Sequence, residues 1–218
     1  MDKEKIQLVA DKVIKMLQQN RKQREAKIPK VPLHMKHVQN CELLLNREEL
    51  LKKMKKQSIV AEIGVDEGKF SRLIHKIVQP GKLHLIDMWG TDRFHEGKFQ
   101  EVQSFFENEI KQQKVMIHKK LSVNAAHDFI DNYFDWIYID TDHSYETTRN
   151  ELRLYAPKVK QGGIIAGHDY VKGNWITTYR YGVIEAVHEF CVNNDWELIY
   201  LTAEPKENQS FAIRRTLQ

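Results

Sequence analysis

The sequence predicts an α/β fold: an open, mostly parallel sheet of seven strands, with helices on both faces and an antiparallel hairpin at the C-terminal end. Three observations predict it. Ile59, Val60 and Ala61 form an apolar run that ends in Glu62 and passes Gly64 and Gly68. It then enters a segment with Phe70, Leu73, Ile74 and Ile77 at helical spacing, so that strand, glycine loop and helix open a βαβ unit. From Ser58 onward strands and helices alternate, the pattern of a parallel sheet with right-handed crossovers. The last two strands are separated only by the turn-rich residues 204–208, a link short enough to require antiparallel pairing.

Before the sheet, residues 3–19 place Ile6, Val9, Val13, Ile14 and Leu17 on one face of an amphipathic helix. Residues 21–37 are basic, contain Pro29 and Pro32, and read as an irregular connector. Residues 42–56 read as a second helix, with Leu43, Leu44, Leu50, Leu51 and Met54 apolar and a lysine cluster at its negative end. The strands are then 59–61, 83–87, 115–118, 134–140, 164–169, 196–202 and 210–214, with helices within 94–112 and over 124–132, 145–159 and 183–193. This divides the chain into residues 1–42, a helix and basic connector suited to a lid or a homodimer contact, and one domain over 43–218.

The 218 residues suffice for one domain with a real core, and 41% apolar with 29% charged residues is the balance of a soluble globular protein. A net charge of +4 does not by itself imply nucleic acid. Cys41 and Cys191 match no metal spacing and read as free thiols of a reducing compartment. No apolar run approaches membrane length, and no signal-peptide core follows the N-terminus, so a cytoplasmic protein without a membrane partner is expected.

The glycine loop carries Asp66 and Glu67 and lacks the middle glycine of a dinucleotide fingerprint. Two carboxylates repel a pyrophosphate. They suit S-adenosylmethionine (SAM), which has a sulfonium and an ammonium but no phosphate. The spacing Glu62-x-Gly64-x-x-x-Gly68 resembles the first motif of class I SAM-dependent methyltransferases. In open α/β sheets ligands bind at the carboxyl ends of the strands. Asp87 ends the second strand where a carboxylate can accept both ribose hydroxyls, with a helix cap as its other reading. Met88 and Trp89 follow it, placed either to line the adenine side or to pack. Asp140, Asp142 and His143 end the fourth strand, and His168 and Asp169 end the fifth. Such a cluster either holds a divalent cation or forms an acid–base set, and both can hold at once.

Residues 134–146 (FDWIYIDTDHSYE), Leu154-Tyr155-Ala156-Pro157, residues 162–170 (GGIIAGHDY) and the upstream residues 46–51 resemble methyltransferase family 24. That family includes metal-dependent sugar O-methyltransferases, and the resemblance covers about residues 43–214. It implies a Rossmann-like seven-stranded domain that uses SAM, with Mg²⁺ or Mn²⁺, on a hydroxyl of a small-molecule acceptor such as a sugar. The expected donor site is Glu62, Gly64, Gly68, Asp87, Met88, Trp89, Ser122 and Asp140, with Ser122 at the position that contacts adenine in the family. Asp140, His168 and Asp169 match the metal ligands, and His143 the general base. Catechol-type enzymes have lysine where His143 stands and asparagine where Tyr170 stands, so a catechol acceptor is not expected. Residues 171–181, with Trp175, Tyr179, Arg180 and Tyr181, would build the acceptor side or pack on the last helix. Two other readings remain: a nucleic-acid methyltransferase, which the absence of an Asn/Asp-Pro-Pro-Tyr/Phe tetrad disfavours, and a SAM-binding module without catalysis.

Overall fold

In the computed structural model, which describes residues 3–174, 176–204 and 207–216, a single sheet organises the chain. Its strands are β1 (Glu42–Leu44), β2 (Ile59–Ile63), β3 (Lys82–Asp87), β4 (Val115–Lys119), β5 (Phe134–Ile139), β6 (Val159–Gly167), β7 (Trp196–Thr202) and β8 (Phe211–Arg215). The spatial order is β1-β7-β8-β6-β5-β2-β3-β4, and only β8 runs antiparallel to its neighbours. The helices are α1 (Lys3–Ala26), α2 (Arg47–Lys53), α3 (Lys69–Val78), α4 (Glu96–Phe105), α5 (Glu107–Lys111), α6 (Ser122–Ala125), α7 (Tyr145–Tyr155) and α8 (Val183–Asn194).

The expected α/β sheet with its C-terminal hairpin is present, but among the described residues it has eight strands, not seven. The extra one is β1, within the segment expected to be helical from residue 42. Leu44 is buried while Leu43 and Leu45 are 70% and 74% exposed, the alternation of a strand, and β1 pairs in parallel with β7. The helix starts only at Arg47, because the Asn46 side chain accepts from the Glu49 amide (2.9 Å) and caps it. At the other end α1 extends past residue 19 to Ala26, since nothing before Pro29 interrupts a run of good helix formers. Every described side chain from Lys3 to Arg24 except Ala10 is exposed, the apolar stripe included.

Alternate residues of the strands feed two cores. Ala61, Ile63, Ile137, Ile139 and Ile165 pack with Leu152, Tyr155, Ala186 and Val187 of α7 and α8. Val60, Leu83, Leu85, Trp136 and Tyr138 pack with Leu50, Leu51, Phe70, Ile74 and Val102 of α2, α3 and α4. Beneath the β3–β4 edge, His84 Nδ1 lies 2.9 Å from His118 Nε2, and His84 Nε2 lies 3.1 Å from the Tyr133 hydroxyl. Among the described residues no helix is long and apolar enough to cross a membrane.

Candidate functional site

The chain leaves β2 toward β3 on one side and, after returning, builds outward from β5 on the other. The resulting crevice is a topological switch point, where ligands of open α/β sheets bind. Gly64 sits at its mouth with φ +90°, its amide donating to the Ile86 carbonyl (2.8 Å). A Cβ at this position would lie 1.9 Å from the Asp140 carbonyl oxygen, so only glycine lets the two strand ends approach so closely. Gly68, at φ +75°, is the residue before α3. Asp87 gathers the loop: Oδ2 accepts from the amides of Val65 (2.8 Å) and Asp66 (3.0 Å), and Oδ1 accepts from the Trp89 amide (3.1 Å). It remains half-buried, and its oxygens keep acceptor capacity for a ligand.

The other expected donor-site residues fall at the same strand ends. Trp89 is buried; its indole N–H donates to the Asp66 carbonyl (2.8 Å), so it braces the loop from the core, while Met88 is exposed. Glu62 is buried and accepts from the Ser71 hydroxyl. Burial pushes its carboxyl well above the usual carboxylate range, and the charges of Asp140 and Asp87 push the same way. Ser122 opens α6, half-buried, with its carbonyl accepting from the Tyr155 hydroxyl (2.8 Å).

The acidic cluster forms because β5 and β6 are parallel neighbours. The Asp140 amide donates to the Ile63 carbonyl (2.7 Å) and the His168 amide to the Ile139 carbonyl (2.9 Å), which ties the ends of β2, β5 and β6 together. His143 Nε2 lies 3.0 Å from Asp169 Oδ2 and 3.9 Å from Asp140 Oδ1. One ligand atom from each of Asp140, His143 and Asp169 lies within 4.8 Å of the others. His168 borders this group without joining it: Nδ1 faces Ser210 Oγ (3.1 Å) and the Tyr138 hydroxyl (3.4 Å), and Nε2 is 3.8 Å from Asp169 Oδ1. Asp142 is exposed and turned to the start of α7, accepting from the Ser144 amide (2.8 Å) and the Thr147 hydroxyl (2.9 Å).

The charges strain against one another. Burial, then the neighbouring Asp169 charge, pushes Asp140 up to about 7 against the opposing Arg47. Burial holds His143 below its ordinary value, although Asp169 and Asp142 favour its charged form. Burial takes His168 down to about 4. The two carboxylates, crowded and partly desolvated with an imidazole beside them, are oxygen donors that a hard divalent cation such as Mg²⁺ or Mn²⁺ fits and whose repulsion it would relieve.

Three further residues join the site. Asn208, in the β7–β8 loop, donates to Asp169 Oδ1 (2.6 Å), which leaves Oδ2 to face His143. The ring of Tyr181, buried, lies 4.8 Å from that of His143. Arg47, beside the cap of α2, places its guanidinium 4.9 Å over the Phe70 ring and pairs with Glu207. Asn208 sits in a stretch that reads only as a turn, whereas Arg47 lies within the upstream piece that resembles the family. Of the expected acceptor side, Tyr179 is 44% exposed, Arg180 is engaged with Glu25 (2.8 Å) and Glu185 (2.5 Å), and Trp175 lies outside the described residues.

The family model described as "Methyltransferase domain" matches residues 61–170, 110 of the 218 residues. No curated protein matches the chain. Many solved structures do. A candidate rRNA methylase from Clostridium thermocellum superposes with a TM-score of 0.60 at 15% identity, over 79% of this chain and 94% of that one. SMU.1697c, a candidate methyltransferase from Streptococcus mutans in complex with SAH, gives 0.57 at 12% identity over 78% and 96%. A SAM-dependent methyltransferase from Aquifex aeolicus gives 0.54 at 16% identity over 78% and 89%. At these identities the likeness is one of fold.

Proposed function

The chain belongs to the methyltransferase domain family and is a class I SAM-dependent methyltransferase; from that premise we propose that it methylates a hydroxyl of a small molecule, such as a sugar or glycoside, with the help of a divalent cation. The observation that carries this reading is the meeting of Asp140, His143 and Asp169 beside the Gly64 turn. Methyl transfer needs an oxygen nucleophile in line with the sulfonium–methyl bond at about 3 Å, and a hydroxyl is a weak nucleophile until it loses its proton.

The residues divide the work. Asp87 at the end of β3 receives the ribose hydroxyls, and the Gly64–Gly68 turn leaves room for the donor against the backbone. As the new C–O bond forms, the S–C bond breaks and the hydroxyl proton passes to His143 Nε2. The imidazolium so formed lies 3.0 Å from Asp169 Oδ2, which stabilises it. Because burial holds the free imidazole below its ordinary value, it stands neutral and ready to accept a proton at neutral pH. Tyr181 covers the ring and limits its exposure to water. Asp140 and Asp169 would hold the cation with His143 at its border; when bound, it would lower the pKa of the acceptor hydroxyl.

The test is an assay with SAM and a panel of sugar, glycoside and phenolic hydroxyl acceptors, read by mass spectrometry of the products. O-methylated product that falls on chelation and returns with Mg²⁺ or Mn²⁺ is expected. Full activity after chelation would remove the cation from the reading and leave an acid–base set. Methylation confined to RNA or DNA would overturn the acceptor class.

A further inference from the structure

The strand ends present a surface crowded with carboxyl groups, Asp66, Asp87 and Asp140, with Glu62 and Asp169 buried beside them. SAM brings a carboxylate of its own into this surface, and an uncompensated carboxylate there is costly. Lys98 is already paired with Asp66. Arg47 stands differently. It reaches from the first turn of α2 to the ring of Phe70, which follows the glycine loop by two residues and packs 4.2 Å, centroid to centroid, from Tyr138 of β5. Its guanidinium is therefore held between the start of α3 and the end of β5. With the ribose at Asp87 and the reacting methyl near Asp140, the amino-acid tail of the donor must extend away from β3, toward this side.

The group now paired with Arg47 is itself a carboxylate, that of Glu207 on the β7–β8 loop. The Arg47 side chain is only 19% exposed, whereas that of Glu207 is 48% exposed. An enclosed guanidinium paired with a half-exposed carboxylate is open to exchange, because one carboxylate can replace another without changing the charge balance. The loop has a second tie, from the Arg47 amide to the Glu204 carboxylate, that does not involve Glu207.

We propose that Arg47 recognises the carboxylate of the methyl donor and that Glu207 holds its place until the donor arrives. This rests on the donor-site reading above. It predicts that the amino-acid tail, not the nucleoside, feels both residues.

The experiment is calorimetry of the full chain with S-adenosylhomocysteine and with 5′-methylthioadenosine, which keeps the nucleoside and sulfur but has no carboxylate. R47Q should weaken S-adenosylhomocysteine binding by about 10- to 100-fold, the loss expected for a charge-assisted contact. Methylthioadenosine binding should be unchanged, which also reports that the variant is folded. E207Q should tighten S-adenosylhomocysteine binding and leave methylthioadenosine as it was. Equal loss of both ligands in R47Q, or no change in either, would overturn the inference while leaving the donor site in place. A wild-type chain that binds neither ligand would overturn the donor-site reading, and this inference with it.

Discussion

His143 holds a left-handed backbone conformation, φ +62°, and its carbonyl accepts from the Gly182 amide (2.8 Å). A non-glycine residue in that region is uncommon, and the turn aims the ring back over the strand ends instead of along α7. If it is the base, His143→Asn should slow turnover by about 10²–10⁴-fold with little change in SAM affinity. The native rate should fall as pH drops below about 6.5, because burial lowers the imidazole pKa and the base is lost only when it protonates. The Asn variant should lose that limb. An Asn variant with native turnover and the same profile would make His143 a turn residue. The acids and imidazoles at the strand ends were legible because strand-end position follows from the alternation of elements. What was not legible is which imidazole joins the carboxylates. His143 and His168 each follow a strand, and only side-chain direction separates them. Ser210 and Tyr138 turn His168 aside, and both contacts join residues distant in sequence.

At the scale of elements, β2 and the turn after it set the site. Gly64→Ala combines a positive φ with a Cβ 1.9 Å from the Asp140 carbonyl oxygen, so the strand ends must separate. A stability loss of at least about 1–3 kcal/mol by denaturant titration is expected, together with loss of SAM binding. Near-native values for both would mean that the switch point tolerates a wider opening. This turn was readable in the sequence because glycine marks it; β1 was not. Three leucines in a row satisfy a helical and a strand pattern alike, and the decision lies with β7, whose paired residues come 158 positions later. The β3–β4 pair makes a different prediction. Burial takes His84 down to about 3, and also lowers His118. Both rings titrate below their ordinary value in the fold, while the unfolded chain protonates near 6.5. Their contribution is therefore intact above pH 6.5 and is lost progressively as pH falls toward 3. Urea midpoints should drop over that range, less steeply in His84→Gln. A flat midpoint from pH 6.5 to 4 would mean that water already reaches the pair.

For the molecule as a whole, the layered sheet followed from the alternation of strands and helices, and in the structure the two strand faces feed two cores that the helices cover. The long helix α1 stands outside that scheme. Seven of the 34 basic residues but only three of the 30 acidic ones lie in it, so its net charge of +4 equals that of the entire chain. The remainder is electrically balanced. The excess positive charge of the protein therefore sits on one exposed helix, the part a polyanionic matrix attracts. On a cation exchanger at pH 7 the chain shortened to residues 27–218 should elute at much lower salt than the full chain. Equal retention would place the effective charge on the body instead.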